Sequence, residues 1–137
     1  MADSDAVLQA AVLQANETFY AAFAAADMGS MMEVWAHDEP VAVIHPGTRP
    51  VAGREQVSQS WRDIFETASA VDIVCVDPQV QLHGEVAVVL CQERINGYQL
   101  AASNTYRRTT EGWFLVLHQA GPVAVAPVAP ARSSVVH

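Results

Sequence analysis

Lysine is absent from this chain of 137 residues, so arginine supplies all seven of its basic side chains. The absence excludes a lysine Schiff base, pyridoxal phosphate chemistry and a phosphate-loop nucleotide site, because each of them needs an ammonium group. With 15 acidic residues, the formal net charge is −8. Nucleic-acid binding depends on a basic surface, so we expect no nucleic-acid partner.

Cysteine is scarce and long apolar runs are missing. Two cysteines, Cys75 and Cys91, are too few for a disulfide scaffold or a four-thiolate metal site. The histidines lack metal-ligand spacing such as His-Glu-x-x-His, so no metal site is expected. No cofactor is expected either. No apolar run approaches the ~20 residues that span a bilayer, and the acidic N-terminus lacks the basic region of a secretory signal. These absences predict a cytoplasmic protein without a membrane partner.

The first half of the chain has helical periodicity. Apolar residues recur every three or four positions over 5–26, which predicts a long amphipathic helix. Asp27 can cap a second, shorter helix that carries Met31 and Trp35 on its inner side, and a capping box of Ser30 and Glu33 is an alternative start of that helix. A short strand over 41–44 and a turn follow, and a third helix is predicted over 54–68.

The second half has the periodicity of strands. The spans of the four predicted strands are 71–82, 85–95, 98–108 and 113–120. Asn96-Gly97 is the strongest hairpin signal, and Asp77-Pro78 suggests a bulge or an edge position in the first of these strands. Three helices followed by an antiparallel meander predict an α+β domain over residues 1–121, with the helices on one face of the sheet. The segment 122–137, rich in Pro and Ala, is predicted to be a poorly ordered tail.

Turn geometry assigns the side chains of the meander to two faces. A two-residue loop at Asn96-Gly97 places Val89 opposite Asn104, and a loop at 109–112 places Asn104 opposite Leu117. The face predicted to meet the helices then holds Val89, Cys91, Leu100, Ala102, Asn104, Tyr106, Trp113, Leu115 and Leu117.

The other face mixes apolar with small polar residues, which favours a homodimer interface over a solvent-exposed surface. His118 falls on this outer face, which favours an interface role for it. Cys75 and Cys91 fall on opposite faces and are predicted to be free thiols, unless a bulge at Asp77 reverses the parity of one of them.

In the order and spacing of several short motifs, the chain resembles the nuclear transport factor 2-like superfamily, in its SnoaL-like and ketosteroid isomerase-like branch. The matching pieces are Phe19-Tyr20, the run from Asp27 to Asp38, Ile44-His45-Pro46-Gly47 with Gly53-Arg54-Glu55, and Thr105-Tyr106-Arg107-Arg108 before Gly112-Trp113. The resemblance implies a cone of three helices wrapped by a curved antiparallel sheet, an internal pocket and a homodimer. It does not define a single activity, because the superfamily contains isomerases, cyclases, dehydratases and binding proteins.

The resemblance also implies site residues. His45 stands at the position of the isomerases' aspartate base, and Asn104 stands where they carry a protonated aspartic acid that binds the enolate oxygen. Phe19 replaces their tyrosine, while Tyr20 points elsewhere on the helix, which argues against steroid isomerisation by the family mechanism. His45 and Asn104 are the candidate catalytic residues, although a strand-end hydrogen bond for His45 and a structural one for Asn104 are alternatives. The candidate cavity-lining residues are Phe19, Trp35, Trp61, Tyr106, Trp113 and Leu117.

Three functions follow as hypotheses. The leading one is a homodimeric protein that binds a small, largely apolar or carbonyl-containing molecule in its pocket. The second is an isomerase, cyclase or lyase in which His45 moves a proton beside a carbonyl and Asn104 holds the oxyanion. The third is an interaction module with a filled cavity.

Overall fold

Three helices pack against one curved six-stranded sheet in the computed structural model, which describes residues 4–124. The helices are α1 (Asp5–Ala25), α2 (Met28–Val34) and α3 (Arg54–Phe65), and the strands are β1 (Ala42–Ile44), β2 (Val51–Ala52), β3 (Ile73–His83), β4 (Val86–Ile95), β5 (Tyr98–Thr109) and β6 (Gly112–Pro122). The strand order is β2-β1-β6-β5-β4-β3, and every pairing is antiparallel except that of β1 with β6. The predicted α+β fold is confirmed. Most of the predicted tail, residues 125–137, lies outside the described residues.

The predicted caps and turns explain where the elements begin and end. The Asp27 side chain accepts a hydrogen bond from the Ser30 backbone N–H at 3.1 Å, which caps α2 as predicted. Asn96 and Gly97 both have positive φ and join β4 to β5 in a two-residue turn. The third helix ends at Phe65 and is therefore shorter than the predicted span of 54–68. Strand β2 was not predicted, since two residues are too few to carry a period.

The inner face of the sheet forms the core with the helices. Its predicted members Val89, Cys91, Leu100, Ala102, Asn104, Tyr106 and Leu115 are all buried. None of the three helices in residues 4–124 combines the length and hydropathy that a membrane span requires.

Two bulges change which side chains share this face. In β6 the register shifts between Thr105 and Tyr106, so that Leu117 pairs with Thr105 and Leu115 with Tyr106. Val116 is the extra residue. His118 therefore lies opposite Asn104, and the predicted pairing of Asn104 with Leu117 is wrong.

The second bulge lies in β3, between Val76 and Gln79, where Asp77 has a φ of 53°. It confirms the bulge that Asp77-Pro78 suggested, and β3 is also an edge strand. The bulge reverses the parity of Cys75, which pairs with Glu93 and therefore lies on the same face as Cys91. Both cysteines are free, and their predicted placement on opposite faces is wrong.

Candidate functional site

An open cavity of about 460 Å³ lies between α1, α3 and the inner face of the sheet. Its apolar wall contains Phe23, Pro46, Ile64, Ile95 and Leu100, and its exposed rim includes Thr48, Asn96 and Tyr98. Three titratable side chains complete the wall: His45, Glu93 and His118. The cavity thus combines an apolar interior with one cluster of acid–base groups.

His45 follows β1 and is positioned by the turn that comes after it. The Thr48 backbone N–H and hydroxyl both donate to the His45 carbonyl at 3.0 Å. The imidazole Nε2 lies 3.0 Å from the Ser60 hydroxyl, which itself donates to the Val57 carbonyl at 2.6 Å. Because the hydroxyl proton is used, Nε2 carries the imidazole proton and Nδ1 keeps a free lone pair. Burial lowers the pKa of His45 to about 4, so the ring is neutral at pH 7.

His118 faces the same cavity, contrary to the predicted outward orientation. The extra residue Val116 turns it inward, where its ring centroid lies 6.3 Å from that of His45. Its Nδ1 lies 2.5 Å from the Asn104 amide oxygen, which fixes the proton on Nδ1 and leaves Nε2 as an acceptor. Burial, and then the neighbouring His45, lower the pKa of His118 to about 3.

Glu93 supplies a buried carboxyl beside His118. It is 1% exposed, and its Oε2 accepts a hydrogen bond of 2.6 Å from the Tyr20 hydroxyl. The same oxygen lies 3.8 Å from Nε2 of His118. Burial raises the pKa of Glu93, and the Tyr20 hydrogen bond partly opposes that rise. Within residues 4–124, no arginine pairs with this carboxyl.

A closed hydrogen-bond network lies behind the cavity. The Asn104 amide donates to Asn16 Oδ1 at 3.0 Å and to the Tyr20 hydroxyl at 3.1 Å. The Tyr106 hydroxyl donates to the same Asn16 oxygen at 2.9 Å. Asn104 therefore holds His118 in place and is not part of the cavity wall. The phenol of Tyr20 reaches this network, so the prediction that Tyr20 points elsewhere is wrong.

The predicted cavity-lining residues occupy several different places. Phe19 and Trp61 pack behind the histidines, with ring centroids 5.0 Å (Phe19 to His118) and 4.8 Å (Trp61 to His45) apart. Tyr106 belongs to the closed network. None of these three side chains lines the cavity.

The remaining three predicted residues lie farther away. Trp35 is fully buried after α2, where its carbonyl accepts a hydrogen bond from Arg54 at 3.2 Å. Trp113 borders a separate hollow with Ala15. Leu117 is half-buried on the face opposite to Asn104. Of all predicted site residues, only His45 borders the cavity.

Sequence reasoning missed Glu93 although a signal was available. Glu93 has the same parity on β4 as Val89 and Cys91, so it falls on the face predicted to meet the helices. A carboxylate at such a position is unusual, because charged groups are rarely fully buried without a partner. Phe23 and Ile64 offered no comparable signal, since apolar residues at helical spacing are ordinarily core residues. Among the described residues, no group of three potential ligands gathers for a metal ion.

The family comparison matches the SnoaL-like domain over residues 12–125 of this chain. No functionally curated protein is detectably similar in sequence.

Several solved structures share the fold. A proposed dehydratase of the nuclear transport factor 2-like family from Streptomyces avermitilis superposes with a TM-score of 0.83 at 28% identity, over 89% of this chain and 100% of that one. A proposed calcium/calmodulin-dependent protein kinase type II association domain from Thiobacillus denitrificans has a TM-score of 0.74 at 34% identity, over 80% and 93% of the two chains. A proposed ketosteroid isomerase from Parabacteroides distasonis, with a TM-score of 0.65 at 17% identity over 82% and 85%, shares the fold alone.

Proposed function

The chain belongs to the SnoaL-like domain family, and from that premise we propose that it binds a small, largely apolar molecule in its internal cavity and does so as a homodimer. The cavity is the observation that carries the proposal. Its volume of about 460 Å³ lies within the range of small-molecule sites, and a few polar groups interrupt an otherwise apolar wall. Such a wall removes apolar ligand surface from water while the polar groups orient the ligand.

The outer face of the sheet supports the homodimer. Leu90 is 45% exposed there, and Val74 on the neighbouring edge strand is 51% exposed. Exposed apolar surface of this kind is stabilised when a second subunit covers it. The similar protein from Thiobacillus denitrificans is itself named an association domain.

Fluorescence titration with 2-naphthol, a neutral aromatic probe, tests the binding. We expect saturable binding that Ile64→Trp abolishes, because the larger side chain fills the cavity. Glu66→Trp is the matched control, since it adds the same side chain at an exposed position just beyond α3. Absence of saturable binding, or binding that survives Ile64→Trp, would contradict the proposal. Sedimentation of the same samples tests the dimer, which Leu90→Arg should dissociate.

A second candidate function, proton transfer by an isomerase, cyclase or lyase, is favoured by one specific observation. The imidazole of His45 is neutral and keeps the Nδ1 lone pair that a general base needs. The similar Streptomyces avermitilis protein is a proposed dehydratase, and dehydratases are lyases. In this scheme Asn104 acts as a positioning residue, through its hydrogen bond to His118.

Hydrogen–deuterium exchange tests this second candidate. The protein should accelerate exchange of the acidic protons of 2-tetralone, an apolar ketone, and His45→Ala should abolish the acceleration. Binding of 2-naphthol without exchange of 2-tetralone would leave the binding function and remove the enzymatic one.

A further inference from the structure

The polar part of the cavity wall has a specific chemical character. Building on the proposed binding function, we propose that the ligand is an apolar amine, bound in its ammonium form with Glu93 as its counter-ion. The proposal rests on the hydrogen-bond roles of three side chains and on a carboxyl that has no cationic partner within residues 4–124.

The three buried polar side chains of the cavity wall offer acceptors, whereas its side-chain donors, on Asn96 and Tyr98, lie at the exposed rim. The proton of His118 is used by Asn104, so its Nε2 can only accept a hydrogen bond. The proton of His45 is used by Ser60, so its Nδ1 is also an acceptor. Glu93 accepts through both carboxylate oxygens when ionised. A ligand that brings N–H donors complements this set, whereas a carbonyl group does not.

Glu93 also has no cationic partner among residues 4–124. Its one strong hydrogen bond comes from the neutral hydroxyl of Tyr20, and no arginine of residues 4–124 approaches it. A buried carboxylate is costly unless an opposite charge is nearby. An ammonium group at the cavity wall provides that charge, and Nε2 of His118, 3.8 Å from the carboxylate, is placed to accept a second of its three N–H bonds.

The charge of the whole chain favours the same ligand class. A formal net charge of −8 attracts cations and repels carboxylates and phosphates. The apolar wall formed by Phe23, Ile64 and Leu100 then contacts the hydrocarbon part of the amine.

Four naphthalene derivatives of one size separate the alternatives. The probes are 1-naphthylmethylamine, 1-naphthylmethanol, 1-acetonaphthone and 1-naphthoate, titrated at pH 7 by calorimetry. We expect the amine to bind at least about tenfold more tightly than the alcohol, and the carboxylate to bind most weakly.

Glu93→Gln tests the counter-ion directly, because glutamine keeps the size of the side chain and still accepts from Tyr20. The variant should weaken binding of the amine at least about tenfold and change binding of the alcohol less than about threefold. Glu85→Gln, an exposed charge change in the turn before β4, should alter neither affinity. If Glu93→Gln and Glu85→Gln weaken binding of the amine equally, the preference for the amine arises from the net charge of the chain, and the proposal is overturned.

The outcomes also separate this inference from the proposed function. Tightest binding of the ketone, retained in Glu93→Gln, would overturn the amine while leaving the cavity as a binding site. Equal affinity for amine and alcohol would do the same. If none of the four compounds binds, the proposed binding function fails together with the inference.

Discussion

Two neighbouring clusters of polar side chains differ in how completely their hydrogen bonds are satisfied. In the closed network of Asn16, Tyr20, Asn104 and Tyr106, every buried polar atom has a partner. In the cavity wall, Nδ1 of His45, Nε2 of His118 and Oε1 of Glu93 are acceptors that no donor within residues 4–124 uses. The closed network contributes to the stability of the fold. The cavity wall contributes little to stability, and its free acceptors can form hydrogen bonds with a ligand. Three experiments test this division.

The largest expected effect comes from breaking the closed network. Asn16→Ala removes the oxygen that accepts from both Asn104 and Tyr106, so one N–H of the Asn104 amide and the Tyr106 hydroxyl lose their buried acceptor. We expect the free energy of unfolding to fall by about 3 kcal/mol in urea titrations at pH 7.5. Glu17→Ala, one residue along on the exposed side of α1, is the control and should cost less than about 0.5 kcal/mol. A loss in Asn16→Ala no larger than that of the control would contradict a stabilising network.

An intermediate effect is expected from pH. The pKa values of His118 and His45 lie at about 3 and about 4 in the folded chain, whereas an unfolded histidine titrates near ~6.5. Between these values the unfolded chain binds protons that the folded chain does not, so the free energy of unfolding decreases as the pH falls below 6.5. Glu93 acts in the opposite direction, because its raised pKa favours the folded state at low pH.

We expect a net loss between pH 7.5 and pH 5.0, measured by urea unfolding, to which each histidine contributes at most about 2 kcal/mol and which Glu93 reduces. His118→Gln should flatten this dependence, since the glutamine cannot take up a proton in the unfolded chain. A pH profile that is unchanged by His118→Gln would assign the dependence to other groups.

The smallest expected effect is on the cavity side. His45→Ala removes one hydrogen bond, to a Ser60 hydroxyl that already donates to Val57, and water can enter the open cavity in its place. The free energy of unfolding at pH 7.5 should therefore change by less than about 0.5 kcal/mol. A loss of about 1–3 kcal/mol would instead make His45 a structural turn residue and remove the contrast between the two clusters.

The fold was predictable because its signals are local and repeated. The long period of α1, the cap at Asp27 and the turn at Asn96-Gly97 each determine an element or a register without reference to the rest of the chain. His45 could be singled out because it ends a strand just before a turn, and the family resemblance marks the same position.

The rest of the site could not be predicted, because it depends on strand parity and on packing. Asp77-Pro78 indicated the bulge of β3. In the apolar sequence around Val116, however, nothing distinguishes the extra residue of β6 from its neighbours. The cavity itself depends on which apolar side chains leave space between α1, α3 and the sheet. A sequence pattern distinguishes buried from exposed positions and contains no information on such voids.

The bulge at Val116 also has an evolutionary consequence. Insertion or deletion of a single codon in the middle of β6 exchanges the inward and outward residues of its distal half. One such event would replace His118 at the cavity by Leu117 or Gln119, without altering any other strand. Within this architecture, a polar cavity wall and an apolar one are thus separated by one short genetic step, so chains of the same fold can acquire or lose acid–base chemistry while keeping their core.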